Sequence, residues 1–291
     1  MHKFHIVDVF GEKKYSGNQL AVVLPGDPIP DARLQKIAAE FNFPETSFIT
    51  RADPVEGGYN ARIFTPRKEV PFAGHPTLGT AYVIRKELVK SDVAIVNLNL
   101  KIGRIPVEFA AGGQDLLWMR QINPTFGRIF DREEIARLIE VSKEEIDGEF
   151  PIQEVFTGVS FVIIPLVTLA SVKKSRLNMT AYKNFSGKNG DLPIFVFCPE
   201  AEESANQIHC RMFAPAFGIP EDPATGSANG CLAGYLLKHR FFSGDTVEAR
   251  VEQGYEIGRK SILHLRAAVQ GDRIDIQVGG KVIEVAEGRL L

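Results

Sequence analysis

Two stretches of this chain carry the same signature in the same order. Arg62-Ile-Phe-Thr-Pro66 is echoed by Arg211-Met-Phe-Ala-Pro215, Gly74-His75 by Gly226-Ser227, and Ala81 by Ala233. A third echo sets Ile102-Gly103-Arg104 against Ile257-Gly258-Arg259. The offset between partners grows slowly along the chain, and chance does not often keep such an order. The inference is an internal duplication giving two similar lobes, residues 1–122 and 123–291, with Asn123-Pro124 as the boundary. Whether the C-terminal tail crosses back to the first lobe is left open by the sequence.

Each repeat reads as a strand, a loop rich in Pro and Gly, and an apolar helix. Around Pro220 and Pro223 no ladder can continue, and Gly218 and Gly226 permit unusual backbone angles. The helix after Gly226 is rich in Ala and Leu with few polar residues, so it must be enclosed. The remaining chain supplies many short alternating segments, among them His2–Phe10, Leu20–Leu24, Tyr59–Phe64 and Thr246–Gln253. Gly112-Gly113 and Gly279-Gly280 read as tight hairpins. Asp31 reads as the cap of a helix through Asn42, and Asp131–Glu134 and Ser142–Glu145 have capping-box form. The expected fold class is α+β: two lobes, each a barrel-like curved sheet around a central apolar helix. The strands and helices do not alternate as a doubly wound fold requires.

Composition narrows the function. The 291 residues suffice for two domains, 44% are hydrophobic, and the net charge is -2. No long basic block marks a nucleic-acid footprint. No apolar run approaches the roughly 18–20 residues that span a bilayer. The start lacks the form of a signal peptide, and three scattered cysteines build neither a disulfide frame nor a zinc site. A cytoplasmic protein without nucleic-acid or membrane partners is expected. Exposed strand edges suggest a homodimer.

Two helix N-termini aimed at a shared cleft would suit a small anionic substrate such as a carboxylate. Glu45 opens an apolar strand. In a dry site it suits proton transfer; at a wet strand mouth it is only solvated. His75, between Gly74 and Pro76, stands in the first helical turn, to donate, to relay a proton, or simply to cap. Asp222 can orient His75, bind a ligand hydroxyl or amine, or fix its loop through an Asx turn. Thr225 and Ser227 can cap a helix or bind an anion, and Asn18 after Gly17 is a turn residue or a cleft contact. A zinc site from His2 and His5 would need further ligands, and none is found in the sequence. Gly-rich nucleotide loops and the serine nucleophile elbow are both absent. These residues allow acid/base chemistry without cofactor or metal.

The chain resembles the phenazine-biosynthesis PhzF-like family, which shares its fold with diaminopimelate epimerase. The resemblance spans essentially the whole chain. It rests on Gly17-Asn-Gln-Leu-Ala-Val22, Glu45-Thr-Ser-Phe48, Pro71-Phe-Ala-Gly-His-Pro-Thr-Leu-Gly79 and Glu221-Asp-Pro-Ala-Thr-Gly-Ser227. It implies a cofactor-independent isomerase, of the kind that acts on trans-2,3-dihydro-3-hydroxyanthranilate, with its site between the lobes. Glu45 then looks like the general acid/base, His75, Asp222 and Ser227 like polar site residues, and the N–H groups near Gly74 and Gly226 like anion binders. The related epimerases place a cysteine where this chain has Gly74 and Gly226, so a two-thiol racemase is not expected. Where the family often reads G-R-P-S, this chain has Gly258-Arg-Lys-Ser261. The other readings are a binding protein that kept only the cleft, and an epimerase using Glu45 with a second base.

Overall fold

A computed structural model describes residues 1–111 and 116–291. The Gly112-Gly113 turn and Asp115 lie outside the described residues. The chain divides into two compact units, Met1–Arg120 with Gly279–Leu291, and Gln121–Val278.

The first unit holds β1 (His2–Val9), β2 (Asn18–Val23), α1 (Asp31–Phe41), β3 (Glu45–Ile49), β4 (Tyr59–Phe64), β5 (Glu69–Val70) and α2 (Gly74–Ile84). Then come β6 (Ile95–Leu100), β7 (Gly103–Phe109) and β8 (Leu116–Arg120). The second unit holds β9 (Thr125–Ile129), α3 (Arg132–Leu138), β10 (Gln153–Phe156), β11 (Ser160–Pro165), α4 (Leu169–Lys174) and α5 (Met179–Asn189). It continues with β12 (Ile194–Cys198), β13 (Ile208–Phe213), α6 (Gly226–Lys238), β14 (Thr246–Gln253) and β15 (Ser261–Gln270). The final strand, β16 (Arg273–Leu290), begins in the second unit and ends in the first.

The duplication is visible in the pairing. β2 runs parallel to β3 across the helix α1, and β4 parallel to β6 across α2. In the second unit β11 runs parallel to β12 across α4 and α5, and β13 parallel to β14 across α6. The intervening pairs β1–β2, β3–β4 and β6–β7 are antiparallel, as are β10–β11, β12–β13 and β14–β15. Parallel neighbours need a crossover, and in both units helices supply it. In the first unit the sheet closes, because β16 pairs with both β8 and β1, from Val9 opposite Val282 to His2 opposite Leu290.

Each unit has a helix inside the curved sheet, with α1 outside it in the first and α4 and α5 outside it in the second. α2 is buried on nearly every side, with Leu78, Val83 and Ile84 at 0% exposure. Each such side chain contributes roughly 1.5–3 kcal/mol by leaving water. The helix lies close to β1 and β2: a Cβ at Gly79 would stand 2.5 Å from Leu20 Cδ2 and 3.0 Å from Val9 Cγ2. On the outer face, Leu34 and Ala38 of α1 pack with Val23, Phe48 and Phe64. β12 shows both faces in the second unit. Its Phe197 meets the Tyr235 ring of α6 edge-on, while Ile194, Val196 and Cys198 pack with Tyr182 and Phe185 of α5. A strand covered on both sides reads as a continuous apolar run, as Ile194–Cys198 does.

Two local expectations are corrected, and one strand was not foreseen. Gly279-Gly280 is not a hairpin: both glycines lie within the unbroken strand β16. They are small because neighbours stand where side chains would be; a Cβ at Gly279 would lie 2.6 Å from the Trp118 ring, and one at Gly280 would collide with Phe10. Asp31 is the first residue of α1 and not its cap; Pro30 holds that place, and the Asp31 carboxylate accepts from Arg62 Nη1 at 2.6 Å. β9, directly after Asn123-Pro124, has no counterpart in the sequence reading. Of the capping signatures, Ser142–Glu145 forms the full box, while Asp131 accepts from the Glu134 N–H at 2.9 Å.

Candidate active site

In the first unit, Glu45 opens β3 and His75 is the second residue of α2. The fold brings them together: His75 Nε2 lies 3.3 Å from Glu45 Oε2, with the side chains 7% and 15% exposed. The same Nε2 lies 3.3 Å from the Gln19 carbonyl oxygen. A carbonyl only accepts, so Nε2 carries the proton and donates. Burial pushes the His75 pKa down to about 3, against a smaller upward pull from the Gln19 carbonyl. The neutral imidazole beside the carboxylate brings no positive charge to it. Asn18 opens β2 beside Gln19 and is fully buried, and Gly74 is buried at the start of α2.

In the second unit, Asp222 and Thr225 are brought together within the loop before α6. The Thr225 hydroxyl donates to the Asp222 carboxylate at 2.5 Å. Both residues are mostly buried, Gly226 starts the helix, and Ser227 is half-buried behind it. Neither Ala73 before α2 nor Thr225 before α6 caps its helix through a side chain among the described residues.

Several positioning residues escaped the sequence reading. Gln253, fully buried at the end of β14, accepts from the Thr225 N–H and from Asn229 Nδ2, both at 3.1 Å. It donates to the Asp222 carbonyl and the Thr225 hydroxyl, both at 2.9 Å. This one amide fixes the loop that carries Asp222. The available signal was a polar residue closing an alternating strand just before Gly254, and a lone Asn229 in an apolar helix. A matched pair of braces stands behind the loops. Arg62 grips Glu69 with Nε and Nη2, each at 2.9 Å, and Arg211 grips Glu221 at 2.9 and 2.7 Å. Such two-pronged pairs fix geometry as well as charge. The repeated arginine was read from sequence; its repeated glutamate was not.

Cys231 is no nucleophile in this setting. Burial pushes its thiol up to about 12, despite a hydrogen bond from Thr157, and its proton points to the Val155 carbonyl at 3.2 Å. All three cysteines are free and buried. Lys260, at the position where the family often has proline, lies over the Tyr255 ring at 4.4 Å and 3.6 Å from Glu203. Among the described residues no helix is long and apolar enough to cross a membrane.

Residues 7–288 match the family model described as phenazine biosynthesis-like protein. The chain belongs to this family. It is 33% identical to a trans-2,3-dihydro-3-hydroxyanthranilate isomerase of Pseudomonas aeruginosa, covering 99% of both chains. It is 30% identical to an uncharacterized isomerase of Clostridium acetobutylicum, over 100% of this chain and 98% of the other. A Bacillus anthracis phenazine biosynthesis protein of the PhzF family superposes with a TM-score of 0.90 at 27% identity, covering 100% of this chain and 99% of the other. A probable proline racemase of Agrobacterium radiobacter shares the fold at a TM-score of 0.62 and 10% identity, covering 100% of this chain and 93% of the other. The family's activity class, isomerase, is that of this chain.

Proposed function

We propose that this chain isomerises a small cyclic carboxylate of the dihydro-hydroxyanthranilate type by moving one proton between two carbons, with Glu45 as the group that takes and returns it. The observation that carries the reading is the buried contact between Glu45 and a neutral His75. The carboxylate removes a proton from a carbon made acidic by conjugation and becomes a carboxylic acid. The acid proton exchanges with water, and Glu45 then delivers a proton to a second carbon of the same system, so the enzyme ends as it began. The buried His75 ring lies against the carboxylate, 3.3 Å away, and limits its movement through both steps, which limits the reorganisation the transition state requires.

The substrate's own carboxylate is assigned to backbone N–H groups at the helix starts near Gly74 and Gly226. The lack of a side-chain cap at either helix supports this role. Asp222, Thr225, Ser227 and Asn18 are assigned to the substrate's amine or hydroxyl. Developing negative charge on the substrate strengthens these hydrogen bonds as the barrier is climbed. A cytoplasmic homodimer belongs to the same reading, supported by the exposed strand edges expected from sequence. The test is turnover of a panel of cyclic amino and hydroxy acids, including trans-2,3-dihydro-3-hydroxyanthranilate. Substitutions at Asp222 and Ser227 should chiefly raise KM, and Glu45→Gln should chiefly lower kcat. Turnover that survives Glu45→Gln unchanged would remove Glu45 from the chemistry.

A further inference from the structure

Far along α2 from His75, the first unit gathers a second set of ionisable groups. His5 on β1 is fully buried, and its Nδ1 lies 2.8 Å from Glu284 Oε1 of β16. The Glu284 carboxylate can only accept, so Nδ1 carries the proton. In the neutral ring the Nε2 lone pair is then bare. Nε2 lies 3.3 Å from Glu87 Oε1, and it has no hydrogen-bond partner among the described residues. Lys3 Nζ bridges Glu87 and Glu287 at 3.1 and 3.0 Å, and Lys86 pairs with Glu284.

Two backbone irregularities create this gathering. His5 stands directly opposite Glu287 in the β1–β16 ladder, so their side chains share a face. Glu284 and Glu287 are three residues apart and would face opposite sides of a regular strand. The register shift between Ile6 and Val7 leaves Val285 as an extra residue, and both glutamates turn towards His5. Glu87 arrives from a π-helical turn, Arg85–Val89, that extends α2. Such turns are rare and frequent at functional sites.

We propose that His5 Nε2, Glu87 and Glu287 form a zinc-binding site, with Glu284 fixing the His5 ring, that clamps the C-terminal strand to β1 and to the end of the central helix. One ligand atom from each of the three lies within 4.8 Å of the other two. A zinc tetrahedron asks for about 3.3 Å between ligands at bond lengths near 2.0 Å. Glu287, 59% exposed, has the freedom to close that difference. A carboxylate behind the ring is the usual support of a metal-bound histidine. The charges agree. Three carboxylates face two ammonium groups, and exchanging the Lys3 ammonium for a divalent ion balances them. Lys3 is 36% exposed and can swing into water. Imidazole with two carboxylates suits zinc better than calcium or magnesium, which prefer oxygen alone. The sequence hid the site because its ligands are scattered from one end of the chain to the other.

The test is titration of chelator-treated, tag-free protein with zinc chloride by calorimetry. One zinc per chain is expected, tightened at least about tenfold by Lys3→Met, which removes the competing ammonium. Glu284→Gln should weaken binding by about 10–100-fold, and Glu87→Gln or Glu287→Gln should weaken it at least as much. Cobalt substituted for zinc should give a visible spectrum of tetrahedral nitrogen and oxygen ligation. Binding by Lys3→Met alone would mean that lysine keeps the ion out of the natural site, and would overturn the proposal. So would binding that ignores Glu87→Gln and Glu287→Gln, or no binding by either form.

Discussion

The Glu45 carboxylate lies 3.3 Å from Nε2 of His75, a ring that burial keeps neutral. A charged imidazolium in that place would form an ion pair and weaken the base. A neutral ring leaves the carboxylate free of an ion pair, to accept a proton and to give it back. The functional proposal depends on this relationship.

Glu45→Gln keeps the shape and removes the proton acceptor. Its turnover should fall by roughly 10²–10⁴-fold, the span of a single acid/base group. Its unfolding free energy should stay within about 1 kcal/mol of wild type. Steady-state kinetics beside urea unfolding checks both.

His75 sets an acid limb on stability. Its ordinary value is 6.5, and burial lowers it to about 3 in the folded protein. Between those values the unfolded chain binds the proton and the folded chain does not. The contribution is therefore full above about pH 6.5 and is lost as pH falls towards 3. Nuclear magnetic resonance of the imidazole should show no titration from pH 8 down to about pH 4. The variant His75→Asn should flatten that part of the stability profile.

A second buried histidine behaves in the opposite sense. His209 donates to Glu252 at 2.8 Å and to Glu256 at 2.9 Å. Burial opposes its charge, but the Glu252 and Glu256 hydrogen bonds outweigh it and raise its pKa. Burial likewise opposes charge on Glu252, yet His209, Asn206 and the N–H groups of Glu202 and Glu203 bring it down to about 2. The histidine's contribution is present below 6.5 and is lost as pH rises through its raised value. The glutamate's is present above 4.5 and is lost as pH falls towards 2. Glu252→Gln should cost about 3–5 kcal/mol, as breaking a buried pair does. In urea titrations from pH 4 to 9, the cost should be greatest between those two ordinary values.

The glycines of β16 offer a steric test. Gly279→Ala should destabilise by about 1–3 kcal/mol, because the added methyl meets Trp118. Gly187→Ala, within α5 and with nothing in 4 Å of its added Cβ, should instead stabilise by about 0.5–1 kcal/mol. Chemical denaturation of the two variants together checks the contrast.

Much of this architecture was legible in the sequence because the duplication is local. Strand, loop and helix recur around Arg62 and Arg211, and apolar runs such as Gly74–Ile84 declare an enclosed helix. His75, Asp222 and Thr225 stood out for the same reason, each beside a Pro or Gly in one of those blocks, and Glu45 because it opens an apolar strand after Pro44. What could not be read depends on contacts between distant segments. Gly279-Gly280 carries a hairpin's composition, but its small size answers to Trp118 and Phe10. Gln253 looks like any strand-end polar residue until it is seen holding Asp222 and Thr225. His5 was set aside because its acidic neighbours come from the other end of the chain and from the turn after α2.

The most direct test of the central claim is proton traffic at carbon. Wild type and Glu45→Gln are incubated in heavy water with trans-2,3-dihydro-3-hydroxyanthranilate and related cyclic acids, and carbon-bound deuterium is read by mass spectrometry. The account predicts label in the wild-type product at the carbon that receives the proton, and none with the variant. Equal labelling by both proteins, or wild-type turnover that exchanges no proton at carbon, would contradict it.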